Sequence, residues 1–237
     1  MPGKYLKGAF VQMMPTFLRA VPNVIIFQFN PETIVHTWEA AAPQVTKGNQ
    51  KPNPLAVRSL PGESFSFTLA MDANDMIADG SPVAAGLATA TGIYSRIAAL
   101  EMLLYPTGSF SKAALQGTVS SAIASAQSGV ASPAKTSVPQ LTMPTVLFVW
   151  GPGRILPVRI HSLTITEKLY DALLLNPTHA EAQVSLDVLT PDEVTHLQDS
   201  LKAVATVAYY YSLGLRQTLA LANLENAAES IIGMLAG

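Results

Sequence analysis

A strict alternation of apolar and polar residues over positions 179–188 constrains the fold of this 237-residue chain more than any other feature. Successive side chains of an extended strand point to opposite faces, so the alternation predicts a strand with one face in a core. The stretch from Glu63 to Met71 alternates in the same way. The residues expected to face inward are Phe65, Phe67, Leu69 and Met71, then Ala180, Ala182, Val184, Leu186 and Val188.

Shorter β-rich runs predict further strands. Val24 to Phe29 and Thr33 to Trp38 flank an Asn-Pro-Glu turn signal, so we expect them to form a hairpin. Val146 to Trp150 precedes a Gly-Pro-Gly turn. The parity of the apolar residues changes near His161 and Ser162, which predicts a β-bulge there.

Residues 83–104 have the spacing of an amphipathic helix, which must end before Pro106. The residues expected to face the core are Leu87, Tyr94, Ile97, Leu100, Leu103 and Leu104. Residues 107–140 are dominated by Ser, Ala, Gly and Thr, a composition typical of a flexible insertion loop.

The C-terminal region opens with a helix-start signal at Thr190, Pro191 and Glu193, which together predict a capping box. Helical sequence then continues to the C-terminus, and Gly214 is the position where a break is expected. From Val204 to Leu235 the helix is apolar on all sides, and such a helix has to be buried against a neighbouring element or molecule.

These elements predict an α+β protein with a β-barrel or sandwich core, a flanking helix and a C-terminal helical extension. We assign residues 1–195, including the 107–140 insertion, to the β domain. Residues 196–237 form the predicted extension.

Composition favours a protein whose surface is partly covered by partners. Only 13% of the residues are charged and 49% are hydrophobic, whereas soluble chains carry about 25% charged residues. A compact, sparingly charged monomer is the alternative. The net charge of −2 and the absence of a Lys/Arg run give no indication of nucleic-acid binding. The chain has no cysteine, which excludes disulfides and thiolate sites and fits a protein made in a reducing cytosol.

No sequence motif indicates catalysis, a cofactor or a metal. The four histidines form no H-x-x-x-H or H-E-x-x-H pair, and the nucleophile-elbow and phosphate-loop motifs do not occur. His179 and Glu181 share the outward face of one strand, where a solvated surface explains them better than a metal site. We therefore predict that the protein is not an enzyme. In particular, no set of residues supports a hydrolase that acts on cell wall.

Seven segments occur in an order that is typical of one family. They are Phe27–Thr33 with its Phe-Gln-Phe-Asn-Pro-Glu turn, His36–Glu39, Gly62–Leu69, Ile97–Glu101, Pro144–Gly151 with its Val-x-Phe-x-Trp-Gly strand, Thr166–Lys168 and Ala180–Leu186. Together they resemble the N-terminal domain of contractile injection system tube proteins, the family often followed by a lysin-motif (LysM) domain. The resemblance covers residues 5–195, apart from the insertion.

The resemblance implies a structural baseplate or hub subunit of a phage-tail-like particle, with a tail-tube-like barrel. Such a subunit forms a six-fold ring that connects the inner tube to the spike and the baseplate. The implied partners are further copies of the chain, the inner tube protein, the spike protein, and baseplate wedge and sheath proteins. The implied location is the cytoplasm during assembly, with release in an extracellular particle as an option. Here an apolar helix over 197–236 follows instead of a lysin motif, so peptidoglycan binding through that motif is not expected.

Aromatic residues and the conspicuous turn give the predicted interface, because aromatic side chains dominate interface energetics. Strand edges and the loops 40–62 and 107–140 are the predicted ring contacts. Core packing accounts for each tryptophan equally well. The candidate interface residues are Phe29, Asn30, Pro31, Glu32, Trp38, Trp150, Tyr209, Tyr210 and Tyr211.

An alternative function is a membrane-associated anchor for such a particle, with the apolar helix Val204 to Leu235 in or on a bilayer. The lack of basic residues beside this helix argues against it, because anionic lipid surfaces attract basic segments.

Overall fold

The computed structural model describes residues 6–14, 21–43, 53, 55–78, 82–106, 143–197 and 199–235. The strands in these ranges are β1 (Ala9–Met14), β2 (Val21–Ile26), β3 (Ile34–Glu39), β4 (Gly62–Asp72), β5 (Thr145–Val149), β6 (Ile155–Tyr170) and β7 (Pro177–Val188). The helices are α1 (Ala73–Ala78), α2 (Pro82–Thr91), α3 (Tyr94–Glu101), α4 (Pro191–Val194) and α5 (Asp199–Leu235). The predicted 107–140 insertion lies outside the described residues.

The strands form one antiparallel sheet in the order β2-β1-β5-β6-β7-β4-β3. The sheet is strongly curled, because Phe10 of β1 packs on Phe67 of β4 with ring centroids 6.2 Å apart, although three strands separate them. Phe65 and Phe148 complete this aromatic core, with centroids 5.5 Å apart. The predicted α+β class, with flanking helices and a C-terminal helical extension, is confirmed.

The two edge strands stand at opposite ends of the strand order, yet they follow one another in the sequence. The connection between them packs Phe27 on Phe67 of β4, with ring centroids 5.9 Å apart, and bonds Gln28 to the backbone of Asp72, so the β2 end of the curled sheet lies near its β4–β3 end. The sheet therefore approaches a barrel but remains open, since no hydrogen-bonded ladder joins β2 to β3 among the described residues.

The predicted hairpin between 24–29 and 33–38 is wrong. β2 pairs with β1, and β3 pairs with β4. β2 ends at Ile26, and the next residue, Phe27, remains buried in the aromatic core, with its ring centroid 5.0 Å from that of Phe10 and its N–H bonded to the Gly8 carbonyl. The chain then crosses the open side of the barrel instead of reversing.

The alternating stretches are strands, as predicted. Every inward-facing residue listed for β4 and β7 is buried. The predicted bulge is also confirmed, because the register between β6 and β7 shifts between Ile160 and Ser162. Strands β6, β7 and β4 lie side by side in the sheet, in that order.

The predicted single helix over 83–104 is wrong. Gly92, at φ +58°, ends α2, and the axis turns by 93° before α3. Only glycine suits this position, since a Cβ there would collide with the carbonyl oxygen of Pro177. The turn leaves Leu87 and Tyr94 exposed, whereas Ile97, Leu100 and Leu103 are buried as predicted.

The capping box at Thr190 is confirmed, and its backbone N–H donates to Glu193 Oε2 at 2.8 Å. It starts only the short helix α4, and α5 begins separately at Asp199. Gly214 does not break α5, which is continuous over 37 residues. The first half of α5 contacts β5 and β6.

Candidate interaction site

The Asn-Pro-Glu turn is fixed to the start of β1. Asn30 Oδ1 accepts a hydrogen bond from the Gly8 N–H at 2.9 Å, and Asn30 Nδ2 donates to the Leu6 carbonyl at 2.9 Å. Gly8 is required here, because a Cβ would lie 2.7 Å from the rings of both Phe27 and Trp150. The candidate residue Asn30 is therefore a structural clamp that holds its turn in place.

Polar side chains bridge the open side of the barrel where no strand ladder does. Gln28 donates from Nε2 to the Asp72 carbonyl at 2.7 Å, and its Oε1 accepts from the Asp72 N–H at 3.1 Å. Arg96 of α3 donates to the Ile26 carbonyl at 3.1 Å. Neither Gln28 nor Arg96 was among the predicted site residues, because a single polar side chain in a connection or on a helix has no distinctive sequence pattern.

A groove of about 880 Å³ lies beside the turn. Phe29 and Pro31 contribute apolar surface, and the outward-facing side chains of β4 and β7 contribute hydroxyl, amide and carboxylate groups. This mixed, open composition is that of an interface rim, whereas a cofactor site is mostly apolar and enclosed. The four turn candidates Phe29, Asn30, Pro31 and Glu32 all line it, together with Ser66, Thr68, Glu181 and Gln183.

The two tryptophans have different environments. Trp150 is partly buried against the aromatic core, with its ring centroid 6.3 Å from Phe148 and 6.5 Å from Phe27. Trp38, on the edge strand β3, is about half exposed, and the guanidinium carbon of Arg216 lies 5.0 Å from its ring centroid. Of the two tryptophans, Trp38 is therefore the one that presents the larger aromatic surface to solvent.

A buried ion pair joins α5 to the sheet. Arg216 donates to both oxygens of Glu63, from NH1 to Oε2 at 2.8 Å and from NH2 to Oε1 at 2.5 Å. Glu63 is almost fully buried, and its Oε1 also contacts His36 Nε2 at 2.8 Å. A bidentate guanidinium is the partner that best compensates a buried carboxylate. Glu63 occupies an inward-facing position of β4. A charged residue at such a position indicates an oppositely charged partner inside the fold, and the sequence analysis did not predict one.

His36 lies in this cluster, stacked on Phe65 with ring centroids 4.2 Å apart. Burial lowers the pKa of His36, and the nearby Arg154 and Arg216 lower it further. Glu63 opposes them, both by its charge and by its hydrogen bond. The net direction is downward, so His36 favours the neutral form and acts as a hydrogen-bonding partner more than as an ion.

The three tyrosines divide between core and surface. Tyr209 packs against the core, and burial raises its pKa, whereas Tyr210 and Tyr211 are about half exposed. The Tyr211 hydroxyl donates to the Pro152 carbonyl at 2.9 Å. Beside them Ser212 is fully buried, accepting from the Ile155 N–H at 3.0 Å and donating to the Ile155 carbonyl at 2.9 Å.

Along one edge of β6, beyond Val158, no strand lies among the residues that the structure describes. The Leu189 N–H donates to the Pro157 carbonyl, so odd-numbered residues of β7 direct their backbone polar groups toward β6. Beyond the bulge their β6 partners are even-numbered, as in the Thr166–Glu181 pair. Residues 163, 165 and 167 therefore direct N–H and C=O groups to the opposite side. Among the described strands, β5 covers that side only as far as Val158.

The candidate metal pair does not converge on one site. His179 Nδ1 lies 3.5 Å from Asp72 Oδ2, while Glu181 accepts a hydrogen bond from Lys168 at 2.5 Å. Within the described ranges, no group of three or more histidine, aspartate and glutamate residues could hold a metal ion. This part of the surface consists of ion pairs.

A comparison with protein-family models finds none that matches this chain, and a search of curated proteins finds no match either. Among the described helices, none taken singly has the length and apolar character needed to cross a membrane. Pro82–Thr91 and Tyr94–Glu101 reach that threshold only when they are taken together, across their 93° bend.

Proposed function

We propose that this chain is a non-enzymatic structural subunit of a contractile injection system. Its tail-tube-like barrel would join copies of itself in a six-fold ring that connects the inner tube to the spike and baseplate. The partners in this proposal are the inner tube, spike, baseplate wedge and sheath proteins. Assembly would take place in the cytoplasm, before any release of the particle.

The observation that supports the proposal is the edge of β6 beyond Val158, beside which none of the described strands lies. Backbone groups at 163, 165 and 167 are directed away from β7, and an exposed strand edge is a template for pairing with another chain. The exposed Trp38 and the groove beside the Asn-Pro-Glu turn lie on or next to β3, the edge strand at one end of the sheet. A subunit with uncovered edges of this kind can close a ring through heterologous contacts.

The edge is tested by removing one backbone donor. Glu167→Pro deletes an N–H that is directed to the open side, and Glu167→Ala removes the same side chain while keeping that N–H. We expect Glu167→Pro to weaken self-association about tenfold or more, from one lost hydrogen bond and a blocked edge, as measured by sedimentation velocity. Equal association of the two variants, both with unchanged circular dichroism, contradicts edge pairing.

A membrane-associated anchor remains the second proposal, because Leu219, Leu221 and Leu224 on α5 are exposed. Replacing all three with glutamine removes the apolar surface that would enter a bilayer. If the full chain floats with phosphatidylcholine–phosphatidylglycerol vesicles and the triple variant does not, the anchor is favoured. If neither floats, the anchor is rejected and the ring proposal is unaffected.

A further inference from the structure

The loop between β6 and β7 presents three consecutive leucines to solvent. Leu173, Leu174 and Leu175 are 90%, 64% and 73% exposed. Leu169 and Tyr170, at the end of β6, are exposed next to them. Singly exposed apolar residues are ordinary, but a contiguous apolar cluster marks an interaction surface.

Asp171 holds this tri-leucine loop (residues 171–176) in one conformation. Its carboxylate accepts hydrogen bonds from the N–H groups of Leu173 at 2.8 Å, Leu174 at 2.7 Å and Asn176 at 3.0 Å. These N–H groups, that of Leu174 foremost, hold the pKa of Asp171 below its usual value. The carboxylate is therefore ionised at neutral pH and keeps the leucines in a fixed arrangement.

Backbone strain accompanies the exposed leucines. Leu169 and Leu175 have φ of +54° and +56°, in the left-handed region that leucine rarely adopts. Backbone strain of this kind is concentrated at sites that bind a ligand or a partner. A loop that only had to join two strands would relieve the strain with glycine or asparagine.

An apolar groove of about 460 Å³ lies at the other end of β6. Leu147 and Ile155 of the sheet form one wall, and Val204 and Val207 of α5 form the other. Tyr211 also lines the groove, and its hydroxyl is already bonded to the Pro152 carbonyl. The groove therefore offers apolar surface to an occupant and has no charged side chain in its wall.

The groove and the loop cannot meet within one chain. Ile155 begins β6 and Tyr170 ends it, so the two features are separated by a 16-residue strand, which is about 50 Å long at ~3.3 Å per residue. We propose that the tri-leucine loop of one copy inserts into the apolar groove of a second copy. An apolar patch and a matching pocket on different parts of one molecule make a head-to-tail contact. Glu167 and Asp171 beside the loop disfavour an anionic lipid surface as the occupant.

This contact deepens the proposed function and rests on it only in requiring that copies of the chain meet. The cysteine-free sequence allows a direct test, because each introduced thiol is unique in its chain. One full-length variant carries Leu174→Cys, a second carries Val207→Cys, and a control carries Leu55→Cys at another exposed position. The mixtures are treated with a short bis-maleimide and separated on a denaturing gel.

We expect Leu174→Cys mixed with Val207→Cys to give a covalent dimer at least tenfold more abundant than Leu174→Cys mixed with Leu55→Cys. Equal yields from the two mixtures overturn the proposal. So does protection of Leu174→Cys from a maleimide by phosphatidylcholine vesicles without a dimer, since the occupant would then be lipid. The reaction is then repeated with Glu167→Pro introduced into both cysteine variants. This change blocks the β6 edge and so distinguishes the groove contact from the proposed ring. A dimer without rings supports the groove contact alone, and rings without the dimer reject the groove contact alone.

Discussion

The two halves of α5 have similar apolar sequences but different environments. In residues 201–216, the buried side chains recur at Leu201, Ala205, Ala208 and Ser212, a spacing of one helical face. From Gln217 onward every side chain that the structure describes is exposed, including Leu219, Leu221 and Leu224. Apolar content alone therefore does not decide which half of this helix is buried.

Small buried residues and polar anchors distinguish the first half. Ala205 and Ala208 leave room for the helix to approach the sheet, and Ser212 and Arg216 bond to Ile155 and Glu63. The second half has large exposed leucines at Leu219, Leu221 and Leu224. Specific hydrogen bonds fix where the first half of α5 docks, and the described apolar side chains of the second half are exposed.

The largest expected effect is the loss of the buried ion pair. Arg216→Ala leaves the Glu63 carboxylate without its guanidinium, and a broken buried pair costs about 3–5 kcal/mol, reduced here toward ~2–3 because Arg216 is partly exposed. Urea unfolding measures this change. The double variant Glu63→Gln, Arg216→Met should recover most of the loss, and a double variant as unstable as Arg216→Ala contradicts the electrostatic explanation.

Ser212→Ala is expected to cost about 1–2 kcal/mol, because it leaves the buried N–H and C=O of Ile155 without their partner. Thr218→Ala is the matched control, since the Thr218 hydroxyl bonds only to the Gly214 carbonyl within the exposed part of α5. Thermal unfolding of both variants tests the comparison. Equal destabilisation by the two changes would show that the docking bond contributes nothing.

The His36 cluster gives a smaller, pH-dependent effect. Unfolded His36 takes up a proton near its usual pKa of 6.5, whereas the folded protein holds that pKa lower. Between these values the unfolded state binds more protons, so the free energy of unfolding decreases as pH falls below about 6.5. Urea titrations from pH 8 to pH 5 should show a shallower decrease in His36→Gln than in the exposed-site control His196→Gln. Identical pH slopes would exclude His36 as the titrating group.

The smallest stability effect is expected in the second half of α5. Leu221→Gln with Leu224→Gln should change the free energy of unfolding by no more than ~0.5 kcal/mol, because both side chains are exposed. The paired change Leu201→Gln with Ala205→Gln, in the buried half, should instead be severely destabilising. Comparable losses from the two pairs would mean that the second half also packs on the chain's own core.

The sequence predicted features that depend on neighbouring residues in the chain. Strict alternation defined β4 and β7, a parity change located the bulge, and Thr190 to Glu193 formed the capping box. The errors concern residues distant in sequence. β3 pairs with β4, about thirty residues further along the chain, and the break at Gly92 packs against the carbonyl oxygen of Pro177.

The site was predictable to a similar extent. The Asn-Pro-Glu turn does line a groove, and Trp38 is exposed, while Trp150 and Tyr209 pack against the core. Glu63 and Arg216 are 153 residues apart, and only folding brings them together. The loop at 171–176 was not predicted as a site, because three consecutive leucines are typical of a buried segment. The structure shows that they are exposed.

Whether copies of this chain form a closed ring is the question that matters most, and single-particle electron microscopy of the purified full-length protein at micromolar concentration addresses it directly. We expect two-dimensional class averages with six-fold symmetry, in which each subunit contacts two neighbours. Class averages and mass photometry that show only a 25.1 kDa species at every concentration would contradict it.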